Sequence, residues 1–145
     1  MQDIQISIDL IQLMELSEGD LNALSTEEKK QVKDRYIKYL MLSKKFFDLW
    51  LAPTKDIDEL WHLHMLCPVH YYNDCISNFG EILNHDYRGI QKPPVSHKEI
   101  ILRTNKLWKK EFNEEMFSDG TNEKGKLHVM ATSHGASFRP PFKSL

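Results

Sequence analysis

The sequence predicts an all-α protein, a compact and irregular bundle of about five helices, and three observations carry that expectation. Apolar residues recur at i+3 and i+4 steps through most of the chain, the period of one buried helical face. Two Ser-x-x-Glu pairs, Ser25/Glu28 and Ser96/Glu99, stand just before such runs with capping-box spacing. Pro53, Pro68 and Gly80 fall between the periodic runs, where proline opens or stops a helix and glycine closes one. Of 145 residues, 41% are hydrophobic and 28% charged, which is the balance of one folded domain rather than of a disordered or fibrous chain.

The elements follow in order. Ile4, Ile6 and Ile8 alternate before Leu10, Ile11, Leu13 and Met14 take helical spacing, so an extended lead-in passes into a helix from about Ser7 or Asp9. Gly19-Asp20 breaks it. Behind the Ser25 cap, Val32, Tyr36, Tyr39 and Leu40 lead on to Phe46, Phe47 and Trp50, a long amphipathic helix whose aromatic stripe is core and which Pro53 ends. Lys29, Lys30, Lys33, Lys38 and Lys44 fall on its wet faces. Thr54 is placed to cap a short helix with Asp56, Asp58 and Glu59 in its first turns, where carboxylates complement the helix dipole. Pro68 suits the first turn of a further helix over 69–79, closed by Gly80 in the left-handed region. Residues 84–94 read as a loop. Ser96 then opens a helix through Ile100, Ile101, Leu107, Trp108 and Phe112 to about Glu115. The remainder is polar and irregular, with a short strand conceivable at 127–131 and an extended tail at Arg139-Pro140-Pro141. This divides the chain into a helical domain, 1–117, and a C-terminal tail, 118–145, that packs on it or trails from it.

Charge and composition exclude several functions. The formal net charge is −2, so no field of one sign gathers nucleic acid or anionic lipid, and neither is expected as a partner. No apolar stretch approaches a membrane span. The first residues lack the basic segment and apolar core of an export signal, so the expected location is cytoplasmic, with Cys67 and Cys75 as reduced thiols. No phosphate loop, dinucleotide fingerprint or hydrolase nucleophile turn is present. The partner, a small molecule or a protein, and the oligomeric state are not set by these features.

Four of the seven histidines, His62, His64, His70 and His85, lie within residues 56–86. Asp58 and His62 are i and i+4 and share one helical face. His85 from the following loop would add a second imidazole, giving two nitrogens and a carboxylate, a set suited to Zn²⁺ or non-haem Fe(II). His64 stands about 200° around the axis from His62 and joins only if the helix breaks before Pro68. The metal candidates are therefore His62, His85, Asp58 and His64. Two imidazoles on one ion require ring nitrogens within about 4.5 Å. A structural reading stays open beside this one, in which each histidine serves only to pack its ring and hydrogen-bond a carbonyl, with Asp58 a dipole partner. The function classes are then a small metalloprotein, as an enzyme or otherwise, and a non-catalytic helical interaction module. No catalytic residue is assigned. His70 falls on an outer helix face, His97 in a first helical turn, and His128 and His134 in the tail. Trp61, Tyr71, Phe79 and Leu83 bracket the histidines at helical spacing and are expected in the core around them.

The segment Pro53-Thr54-x-Asp56-x-Asp58-x-x-Trp61-His62-x-His64-Met65-Leu66-x-Pro68-x-x-Tyr71-x-x-Asp74-Cys75, followed by Phe79-Gly80-x-x-Leu83-x-His85-Asp86, resembles the glycine-rich domain-containing protein-like family. That family is marked by an Asp-x-x-Trp-His-x-His block and a Gly-x-x-Leu-x-His block, and both are here at matching spacing. Weaker echoes in 36–50 and 107–112 extend the resemblance over most of the chain. The chain departs from the family's namesakes in holding only six glycines, so the role of a glycine-rich region is not carried over. The resemblance implies a fold and a site more than a reaction.

Overall fold

The computed structural model describes residues 3–87, 89–117 and 138–142. Among them are five helices: α1 (Leu10–Leu16), α2 (Thr26–Lys45), α3 (Lys55–Met65), α4 (Pro68–Phe79) and α5 (His97–Phe112). The all-α class expected from the sequence is the observed one, and the described residues contribute one isolated antiparallel bridge, Leu51 with Arg139.

Local chemistry sets most helix starts. Asp9 caps α1 by accepting from the Gln12 amide, and Ser25 and Glu28 form a reciprocal capping box on α2. Ser96 caps α5 through the Glu99 amide, which is half of the expected box. Pro68 occupies the first turn of α4, and Gly80 closes it at φ 80°, a conformation that costs glycine little. Asn113 ends α5 in the same region, slightly before the expected Glu115.

α2 packs on α3, α1 contacts both, α4 packs on α3, and α5 on α2. Their shared core holds Leu10, Met14, Tyr36, Tyr39, Leu42, Ile57, Leu60 and Trp61, all buried. The lead-in before α1 runs extended along α4 and uses that helix's side chains in place of a partner strand. Gln5 exchanges two hydrogen bonds with the Asn78 amide at 2.9 and 2.7 Å, and the Ser7 amide donates to Asp74 at 3.0 Å.

Two expectations need correction. The long helix does not reach Pro53 but stops at Lys45, where Arg139 takes the carbonyls just beyond its last turn. Its guanidinium donates to the Phe46 and Phe47 carbonyls at 2.6 and 3.1 Å, and the chain turns away towards the Leu51 bridge. Phe47 is consequently exposed rather than core. Lys29 is buried instead of wet, its ammonium capping the Asn22 carbonyl at 3.0 Å. Of the two outcomes left open for the tail, its described end packs on the helices: Phe138 and Arg139 are buried, and burial brings the Arg139 guanidinium down to about 10. The strand expected at 127–131 and the histidines at 128 and 134 lie outside the described residues.

Candidate metal centre

α3 builds the first half of the site. Thr54 precedes it, but its hydroxyl donates to Asp56 at 2.6 Å and accepts from Arg35 at 2.9 Å instead of capping the helix. Arg35 also donates to the Asp56 carboxylate at 2.8 Å, so the buried N-terminus of α3 is tied to α2 through a paired charge. One turn later the i, i+4 pair projects from a common face: Asp58 Oδ1 lies 3.4 Å from His62 Nε2.

His85 arrives from residues 82–87, which have no regular structure. Its Nε2 lies 2.7 Å from Asp58 Oδ1 and 2.9 Å from His62 Nε2, well inside the 4.5 Å needed for a shared ion. The Asp58 and His85 side chains are 8% and 6% exposed and His62 is 46% exposed, so the cluster is buried on one side and open on the other. Trp61 floors it, with its ring 4.2 Å from that of His85.

Charge follows from this geometry. Burial alone would raise the Asp58 carboxyl, but hydrogen bonds and charge from His62 and His85 hold it below its ordinary value. The hydrogen bond to Asp58 pushes His62 up, against the opposing effect of burial. Asp58 is thus an ionised acceptor, and each Nε2 carries at most one proton. Three close contacts therefore share at most two protons, and one edge of the triangle always lacks its own. A cation at the centre satisfies all three together. Donor atoms about 2.1 Å from one ion stand about 3.0 Å apart at adjacent octahedral corners and about 3.4 Å apart in a tetrahedron. The observed 3.4 Å matches the tetrahedral spacing, 2.9 Å is close to the octahedral one, and 2.7 Å is about 0.3 Å below the shorter of the two, so the His85–Asp58 edge would open slightly around an ion. Among the described residues these three form the one group of His, Cys, Asp or Glu side chains whose donor atoms all approach within 4.8 Å.

His64 is not brought to the cluster. α3 continues unbroken through Met65, so His64 points to the opposite face, where it is 2% exposed. Its Nδ1 lies 2.8 Å from the Tyr36 hydroxyl and its Nε2 2.9 Å from Asp74, leaving no nitrogen for an ion. Burial lowers its pKa although Asp74 opposes the shift. His64 is a core histidine. His70 lies on the exposed face of α4 beside the Ser7 hydroxyl, and His97 stands at the start of α5 against Phe138. Both cysteines are free; Cys75 is buried, and that burial pushes its thiol up.

Fold and site together define a small all-helical protein with an Asp-His-His cluster where a helix meets a loop. Residues 22–74 match the model of the glycine-rich domain-containing protein-like family, the family that the sequence resembles. Glycine-rich domain-containing protein 1 of Arabidopsis thaliana is 29% identical over 83 residues, 57% of this chain and 10% of that protein. Glycine-rich domain-containing protein 2 of the same plant is 39% identical over 56 residues, 36% of this chain and 7% of that protein. The chain thus spans a tenth or less of the length of these curated relatives. No solved structure matches it. The matched segment contains Asp58 and His62 but stops short of His85.

Proposed function

We propose that this chain binds one divalent transition-metal ion through Asp58, His62 and His85. The observation that carries the reading is the closed triangle of donor atoms, three contacts with too few protons to fill them. Two imidazoles and one carboxylate on one side of an ion leave its other positions open, an arrangement suited to non-haem Fe(II) and compatible with Zn²⁺. The half-exposed His62 ring marks the side from which a small molecule would reach those positions, and a reaction there would make the protein a metalloenzyme. Free thiols at Cys67 and Cys75 and the near-neutral charge fit a cytoplasmic protein with no nucleic-acid partner. No described helix is long and apolar enough to cross a membrane.

The test is elemental analysis of the chain purified without a His-tag, before and after reconstitution with Zn²⁺ or, anaerobically, Fe(II). One ion per chain is expected. His62→Ala and His85→Ala should each lose it, and His70→Ala should keep it. Metal far below one equivalent after both reconstitutions would refute the reading and leave the non-catalytic interaction module, in which Asp58, His62 and His85 only brace the loop against α3.

A further inference from the structure

Two ligands of the proposed centre are fixed by α3 itself, but His85 sits 23 residues beyond His62 in a stretch without helix or strand. A ligand must be held within roughly half an ångström of its place for the site to be preorganised. The chain on either side of His85 is pinned by a hydrogen bond from another part of the fold. Before it, the Tyr71 hydroxyl of α4 donates to the Leu83 carbonyl. After it, the Asp86 amide donates to the Phe138 carbonyl at 2.9 Å.

Each anchor is itself rigidly held. Tyr71 also accepts from Trp61 Nε1 at 2.9 Å, so a single buried hydroxyl joins α3, α4 and the His85 stretch. Trp61 directly precedes His62 and packs on the His85 ring, which couples that hydroxyl to both imidazoles. Phe138 is buried, and Arg139 after it exchanges backbone hydrogen bonds with Leu51 at 2.8 and 3.0 Å while its side chain grips the end of α2.

We infer that Tyr71 and the segment 138–142 are positioning elements of the metal centre, acting by fixing His85 against Asp58 and His62; this rests on the metal reading above. Tyr71 lies within the segment that matches the family model, whereas His85 and Phe138 lie outside it, so the centre is assembled from three separate parts of the chain. None of the anchoring groups is among the three donors Asp58, His62 and His85.

The experiment is Co²⁺ titration of the full chain, followed by its visible absorption, for wild type, Tyr71→Phe and Tyr39→Phe. Tyr39→Phe is the control, because it too removes a buried hydroxyl, one without a hydrogen-bond partner. Tyr71→Phe should bind Co²⁺ about 10–100-fold more weakly, with an altered ligand-field spectrum, as for other groups that orient a ligand. Tyr39→Phe should match wild type in both. If Tyr71→Phe fails to fold, Arg139→Met replaces it, since that change loosens the Phe138 anchor from the far end of α2 and should shift affinity in the same direction. Wild-type affinity and spectrum in the folded anchor variant would overturn the inference alone. A wild type that binds no Co²⁺ would remove the metal reading, and this inference with it.

Discussion

Replacing Trp61 by alanine tests whether α2, α3 and the His85 stretch close on one side chain. Trp61 is 0% exposed, its ring lies 5.7 Å from that of Tyr39 and 4.2 Å from that of His85, and its indole N–H donates to Tyr71. A buried tryptophan removes about 150–250 Å² from water, worth roughly 4–6 kcal/mol at about 25 cal/mol/Å². Alanine retains a small part of this, and comparable truncations cost about 3–5 kcal/mol. Loss of the donor to Tyr71 adds about 1 kcal/mol. The expected loss is therefore about 4–6 kcal/mol, a large share of the roughly 5–15 kcal/mol that holds a domain together. At about 2–4 °C per kcal/mol, the melting temperature should fall by roughly 10–20 °C. Urea denaturation followed by far-UV circular dichroism, with chelator present so that no bound ion contributes, measures it. Trp61→Phe keeps a ring and should lose less than half as much. A loss below about 1 kcal/mol for Trp61→Ala would put the indole outside the core and refute this account of how the loop is held.

Two further outcomes follow from buried titratable groups. Burial depresses His64, so the unfolded chain takes up a proton near pH 6.5 while the folded chain resists until the pH is lower. The stability that neutral His64 confers is present above that value and declines as pH falls below it. The stability gap between wild type and His64→Gln in chelator should narrow from about pH 7.5 to about pH 5, and a constant or widening gap would contradict the shift. Burial likewise raises the Cys75 thiol, while Cys67 is partly exposed. Iodoacetamide under native conditions should alkylate Cys67 first, with Cys75 modified only after denaturation; mass spectrometry showing equal rates would refute that burial.

The sequence made the helices legible because their starts and stops are local. Asp9, Ser25, Pro68, Gly80 and Ser96 each act on residues within a turn of themselves. The end of α2 was not legible, because the aromatic spacing runs on through Trp50 while Arg139, 93 residues beyond Phe46, takes the carbonyls just past the helix. The seating of the tail was hidden for the same reason. In the candidate site, the i, i+4 spacing put Asp58 with His62, and the second motif block supplied His85. The period of an unbroken helix already set His64 apart from His62. Its partners could not be read, because Tyr36 and Asp74 come from two other helices. Tyr71 was readable as a core aromatic, but its hydroxyl's role in holding Leu83 shows only once the chain is folded.

The central claim is that one ion is held by two imidazoles and one carboxylate, and X-ray absorption of the zinc-loaded full chain reads that ligand set directly. The account predicts nitrogen and oxygen scatterers at about 2.0–2.2 Å, with outer-shell scattering from two imidazoles and no sulfur. His85→Ala should reduce the two imidazoles to one or abolish binding. A sulfur shell at about 2.3 Å, or three imidazoles, would contradict it, since the first would bring in a cysteine and the second a histidine other than His62 and His85.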